Sequence, residues 1–194
     1  CAQSADNIML LKEYRPYHVS AGDNDVVLYP ALCTSMHSAP GENNLGWIKE
    51  AEIAPSVFNI GIAHGAVEGE TIDSEGLYFL MSRAELEAIP LDVWLIGHTH
   101  VPFPALTDSY TDSGRIFNAG THVQTDVNCN CAGQCFIIEL SDDKSVRARQ
   151  VETGNLRFYR KSIALSPETM EDTLRRELSA FSDNSVVDLR LSGS

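Results

Sequence analysis

The sequence has little of what marks several protein classes. No apolar run approaches the ~20 residues that a bilayer span requires, so no transmembrane helix and no membrane association are expected. The opening residues, CAQSADNIML, show no basic segment leading into an apolar stretch, so no signal peptide is expected either. Basic residues are scarce, with 14 Lys and Arg against 27 Asp and Glu and a net charge of −13. That balance excludes a nucleic-acid binder that works by overall charge. The five cysteines are odd in number and three crowd into CNCAGQC. This is not the pattern of a secreted disulfide framework, and a reducing cytoplasm fits better. There is no internal repeat. An initiator Met is missing too: the chain opens at Cys1 and reads as a piece of a longer polypeptide.

What is present is an alternation of turn chemistry, short apolar runs and capped helices. YHVSAGDNDVVLYPAL places two β-rich runs around Gly22-Asp23-Asn24-Asp25, the composition of a hairpin turn. WIKEAEI predicts a short helix. VFNIGIAHG and DVWLIG are continuous apolar runs of the length of buried strands, and GRIFNAG and CFIIEL follow as strands. Between them, Ser82 and Glu85 form a capping-box signature for a helix that Pro90 stops. SVRARQVE and NLRFYRKSIAL extend the β-rich stretch. The expected class is α/β, a layered β-sandwich flanked by helices. In LSPETMEDTLRRELSAF, Ser166 reads as an N-cap with Pro167 at the first helical position. Met170, Leu174, Leu178 and Phe181 form its apolar stripe. With the alternating strand VVDLRL, residues 162–194 read as the start of a small α+β capping domain, and residues 1–161 as the main domain.

The charge is unevenly spread. Lys144, Arg147, Arg149, Arg157, Arg160 and Lys161 face a single acid, Glu152, over that span. Such a run is either a solvated strand face or a local patch for phosphate backbone.

The chemistry concentrates in the histidines. In DVWLIGHTH a buried strand ends on two imidazoles one residue apart. Alternate residues of an extended chain point the same way, with Cα atoms ~6.5–7 Å apart. His98 and His100 can therefore reach one metal ion, or two ions ~3.5–4 Å apart. His64 repeats the arrangement at the end of FNIGIA, and ligands in open α/β sheets bind beyond the carboxyl ends of strands. A metallo-β-lactamase-like or cupin-like use of His-x-His fails on spacing, because HTHVPFPA supplies neither Asp, His nor Glu where those sites want them. CNCAGQC could supply Cys129, Cys131 and Cys135 to a structural zinc with a fourth ligand from elsewhere. Reduced thiols at a strand start are the plainer reading.

GIAHG, then DVWLIGHTHVP, then IFNAGT resemble the later motifs of the calcineurin-like metallophosphoesterases: a strand-end His, Gly-His-x-His, and an Asn-x-Gly-Ser/Thr turn. VVLYPAL, GWIKE, NLRFYRKSIAL and VVDLRLSG are similar to the SbcD-type DNA repair exonuclease branch, and the likeness covers nearly the whole chain. The resemblance implies a dinuclear centre with His64 and His98 on one divalent ion and His100 on the other. Manganese is the usual ion of that branch, with Fe, Zn or Ni also suited to imidazole and carboxylate ligands. It implies DNA as substrate, an SbcC-like coiled-coil ATPase as partner, and a homodimer as a further option. His122, after the Asn-x-Gly-Thr turn, is a candidate for the substrate side.

The family's earlier motifs, Asp-x-His, Gly-Asp-x-x-Asp and Gly-Asn-His-Asp/Glu, are absent. GDND at Gly22–Asp25 imitates the second but sits in turn chemistry. No catalytic residue is therefore expected in this chain, and the polypeptide alone is expected to be inactive. Two other functions fit the same residues: a phosphatase or phosphodiesterase acting on a small phosphoester, and a non-catalytic metal-binding scaffold.

Overall fold

A computed structural model describes residues 7–70, 73, 75–129 and 131–193. The fold is α/β; among the described residues there are three sheets and three short helices. Among the described residues no helix is long and apolar enough to cross a membrane.

The hairpin forms as expected but with a tighter turn. Strands β1 (Tyr17–Ala21) and β2 (Asn24–Ala31) are antiparallel, with Ala21 opposite Asn24. Only Gly22 and Asp23 are left between them, and Gly22 takes φ 64°, a conformation glycine adopts without a Cβ clash. Strands β3 (Phe58–His64), β4 (Val93–Gly97) and β6 (Ile116–Phe117) then add in parallel, in the order β1-β2-β3-β4-β6.

One face of this sheet is covered by helices α1 (Gly46–Glu50) and α2 (Arg83–Ala88). Tyr29, Ile48, Leu86, Trp94 and Ile96 make up much of the core there. Gly61 and Trp94 are register partners in β3 and β4. A Cβ on Gly61 would lie 2.2 Å from the indole, so the missing side chain is what admits the largest residue of the core. The Trp94 Nε1–H donates to the Leu86 carbonyl at 3.0 Å, which satisfies its polar edge inside the core. Helix α2 carries the capping box read from the sequence. Ser82 accepts from the Glu85 N–H, and the Glu85 carboxylate accepts from the Ser82 N–H.

Strands β5 (Thr111–Asp112), β7 (Gln134–Leu140) and β8 (Val146–Glu152) form an antiparallel sheet in the order β5-β8-β7. Val93 and Phe117 of the first sheet cluster with Val146 and Ala148 of the second, with Phe136 and Ile138 packed against them. Lys144 locks this layer to the base of the first. Its Nζ donates to the Val57 carbonyl at 2.6 Å and to Asp92 Oδ2 at 2.9 Å, and that same oxygen accepts from the Asn59 N–H.

In the last segment the helix starts later than expected. Strand β9 (Arg157–Leu165) runs straight across the 161/162 division and pairs in parallel with β10 (Ser185–Gly193). Helix α3 (Met170–Leu178) connects them. It begins after Thr169, not after Ser166. The Ser166 hydroxyl bonds the Thr169 hydroxyl at 2.9 Å instead of capping a backbone N–H, and residues 167–169 form a turn. Of the predicted stripe, Leu174 and Phe181 are half-buried, with Phe181 against the Tyr159 ring, while Met170 and Leu178 are exposed.

Candidate functional site

Parallel register brings the first two candidate ligands together. His64, the last residue of β3, lies opposite Gly97, the last residue of β4, so His98 follows one step beyond its neighbour. The Gly65 N–H donates to the Gly97 carbonyl at 3.0 Å and extends the pairing past the strands. The result is His64 Nε2 and His98 Nδ1 at 3.2 Å, with ring centroids 5.0 Å apart and the planes at 72°. Either one ring N–H donates to the other nitrogen, or both lone pairs point at a shared cation.

His98 reaches this position at a cost. Its φ is 120°, a region that residues with a Cβ rarely occupy. The strain is held by the loop that follows. Asn118 is 2% exposed, and its side chain donates to Thr99 Oγ1 and accepts from the Gly120 N–H. Its main-chain N–H and C=O are both bonded to Phe103. The Asn-x-Gly turn thus grips the residue between the two histidines of His-x-His, while Gly120, at φ 72°, lets the His100 carbonyl pass at 3.0 Å from where a Cβ would be.

A second wall is aromatic. The Tyr78 ring lies 4.7 Å from His98 and 5.3 Å from His37, so four rings run in a row from His64 to His37. Gly65 permits this approach, since a Cβ there would sit 2.6 Å from the Phe79 carbonyl and 2.9 Å from that of Tyr78. Asp73 accepts from the Leu77 and Tyr78 N–H groups and so anchors the same segment. No sequence signal pointed to Tyr78, Asp73 or His37. Their approach depends on a connection whose course is set only in three dimensions. Burial holds the His98 pKa below the ordinary histidine range, and the charges of His64 and His100 add to the effect against the opposing pull of Asp73.

His100 is exposed and lines a cavity of about 740 Å³. His122 is exposed as well. Its carbonyl accepts from Thr153 Oγ1 at 2.7 Å, and no ring or hydrogen-bond contact joins its imidazole to the other histidines. The cysteines Cys129, Cys131 and Cys135 are free, half-buried thiols. Cys129 Sγ donates to the Cys131 carbonyl and Cys131 Sγ to Gln134 Oε1. Among the described residues no three His, Cys, Asp or Glu side chains converge as a ligand set. Neither the thiols nor the three imidazoles form a closed metal site by themselves.

The basic run does not form one free stripe. Lys144 pairs with Asp92, Arg157 with Glu152, Arg160 with Asp188 and Lys161 with Glu177. Arg147 and Arg149 instead lie beside the Tyr110 ring, at 5.5 and 5.3 Å from its centre. Alternation along β8 and the acids of α3 and β10 divide what is contiguous in sequence.

Set beside known proteins, this arrangement of strand-end histidines must be judged on its own geometry, because the chain matches no family model and no curated protein.

Proposed function

We propose that this chain supplies the imidazole half of a dinuclear metallophosphoesterase centre, built on the calcineurin-like phosphoesterase fold and belonging to its SbcD-type DNA exonuclease branch. One observation carries the proposal: two ring nitrogens 3.2 Å apart at the carboxyl ends of neighbouring parallel strands, one of them on a strained backbone. Two nitrogens bound at ~2.1 Å to the same ion lie within ~4 Å of each other, so this pair fits a shared ion. His64 and His98 would hold one ion and His100 the other, as manganese or as Fe, Zn or Ni. When bound, such ions activate a water and neutralise the charge that develops on a phosphodiester.

The chain's own residues prepare the ligands. Burial and the neighbouring imidazoles lower the His98 pKa and so favour its neutral form, the form that coordinates. Asn118 through Thr99, and Tyr78 by ring contact, fix its orientation. The carboxylates that would offset two divalent charges belong to motifs this sequence does not contain. Asp73 acts on His98 only at a distance, and its oxygens already accept two backbone N–H groups. The chain alone is therefore expected to bind metal weakly and to be inactive; the enzyme is a polypeptide that also carries those motifs. DNA as substrate and a coiled-coil ATPase as partner rest on the sequence resemblance.

A second reading, a small phosphoester as substrate, is favoured by the ion pairs that occupy four of the six clustered cations. Titration with Co²⁺, followed by its visible absorption, tests the site. Binding should be lost in His64→Ala and His98→Ala and kept in His122→Ala; equal binding in all three would overturn the proposal. Mn²⁺-dependent hydrolysis of linear DNA and of bis(4-nitrophenyl) phosphate, by the chain joined to the carboxylate motifs, separates the two substrates.

A further inference from the structure

Strand β10 has one long edge without a partner among the described residues. It pairs with β9 on one side only, over Ser185–Gly193. The Arg157 N–H donates to the Asn184 carbonyl, so the main chain of Asn184, Val186, Asp188, Arg190 and Ser192 turns toward β9. Alternation turns the N–H and C=O groups of Val187, Leu189 and Leu191 away from the sheet. Such edges are ordinarily blunted by Pro, Lys or a bulge. SVVDLRLSG has neither Pro nor Lys, and its register with β9 runs unbroken over 9 residues.

The side chains along this edge are as unfinished as its backbone. Val187, Leu189 and Leu191 share the face that carries α3, because Lys161, the register partner of Leu189, pairs with Glu177 of that helix. Yet Leu191 is 54% exposed, and with Leu165, Pro167 and Met170 it lines a groove of about 580 Å³. On the opposite face Asp188 Oδ2 accepts from Arg160 at 2.8 Å. Arg190, two residues on, has no ion-pair partner among the described residues. The strand thus offers one acid and one unpaired cation on the same side, next to an open ladder of main-chain groups.

We infer that β10 is the interface for a second copy of this chain, its edge paired antiparallel with itself about a two-fold axis through Leu189. The charges select this register. It sets Asp188 of each copy opposite Arg190 of the other, so that every Asp188 lies between its own Arg160 and the second copy's Arg190. Val187 falls opposite Leu191 and brings an apolar side chain to the groove beside Met170. The adjacent two-fold registers that keep outward-facing residues paired are centred on Asp188 and on Arg190. The first sets Asp188 against Asp188 and the second Arg190 against Arg190, and like charges directly opposite are unfavourable. Each copy uses its edge once, so assembly closes at two chains in a four-stranded sheet of order β9-β10-β10-β9.

Sedimentation equilibrium of the 194-residue protein measures the association. The natural chain should be a dimer in reversible equilibrium with its monomer. Leu191→Pro deletes an outward N–H and leaves the bonds to β9 in place, so it should weaken dimerisation at least tenfold with an unchanged circular dichroism spectrum. Arg190→Asp and Asp188→Arg each set like charges across the axis and should each weaken self-association at least fivefold. Mixed in equal amounts, these two variants should associate at least fivefold more tightly than either does alone, because every pair across the axis is then of opposite sign. Asp188→Arg also gives up the exposed contact with Arg160, a loss that mixing does not restore, so recovery in the mixture reports the interface alone. The charge variants carry the test should Leu191→Pro not fold. A monomeric natural chain, a folded Leu191→Pro variant that still dimerises, open-ended polymers, or a mixture no tighter than its components would overturn the interface.

Discussion

His98 offers a test that needs no metal and no substrate. Its φ of 120° is a conformation that glycine adopts freely and that a residue with a Cβ holds only under strain. Strain of this kind is worth about 1–3 kcal/mol. Replacing His98 by Ala removes the imidazole but leaves the Cβ, so the strain stays; replacing it by Gly removes both. The two variants lose the same ring contacts with His64 and Tyr78, and their difference isolates the backbone. Glycine loses about 0.5–1 kcal/mol relative to Ala through the larger entropy of its unfolded chain. His98→Gly should therefore be more stable than His98→Ala by about 0.5–2 kcal/mol, net of that entropy. For a chain of this length each kcal/mol moves Tm by about 2–4 °C, so the two melting curves should stand about 1–8 °C apart. Circular dichroism melts in the presence of a chelator measure this directly. An Ala variant as stable as the Gly variant would refute the strain, and with it the claim that the fold holds this histidine in place at a cost.

Three further outcomes follow from single contacts. Lys144→Met strands the Asp92 carboxylate, whose side chain is 9% exposed, and should cost about 3 kcal/mol, the low end for a broken buried pair because Lys144 itself is 24% exposed. Urea unfolding measures it, and a loss inside the ~1 kcal/mol typical of surface pairs would contradict the burial assigned to the contact. Asn118→Ala leaves Thr99 Oγ1 and the Gly120 N–H without their partner and should cost about 1–3 kcal/mol. It should also lower Co²⁺ affinity, as Thr99→Val should while Thr99→Ser does not; equal affinity in all three would remove the positioning role. At Glu85, burial alone would raise the carboxyl pKa. The Lys49 ammonium, the Ser82 N–H and the Asn43 amide outweigh it and hold the group at about 2. A folded pKa below the unfolded one gives stability that is complete above the ordinary carboxylate range of ~4.3 and is lost as pH falls toward 2. With the carboxyl 37% exposed, screening keeps the gain below its full linkage value. Glu85→Gln should lose less stability than the natural chain between about pH 6 and pH 3 in urea titrations, and an identical loss would refute the assignment.

Local chemistry was readable directly from the residues. The capping box of Ser82 and Glu85, the tight hairpin at Gly22 and the strand-end positions of His64 and His98 each depend on contacts within a few residues or on a simple period, so the chain states them by itself. The helix after Ser166 was misread at its start because an N-cap is decided by which N–H the hydroxyl reaches, and here Thr169 takes that hydroxyl instead. The course of β9 through positions 161 and 162 is set by its pairing with β10, some thirty residues on, which no local pattern states. The basic run looked continuous because sequence order ignores the acids of Asp92, Glu177 and Asp188, which arrive from other elements. Register between β3 and β4 decided that two imidazoles meet at 3.2 Å, and the turn at Asn118 decided that one of them does so under strain. A sequence specifies which groups a chain owns and which way neighbours alternate. The distance between groups on different strands is a property of how those strands pair, and the candidate site consists of such distances.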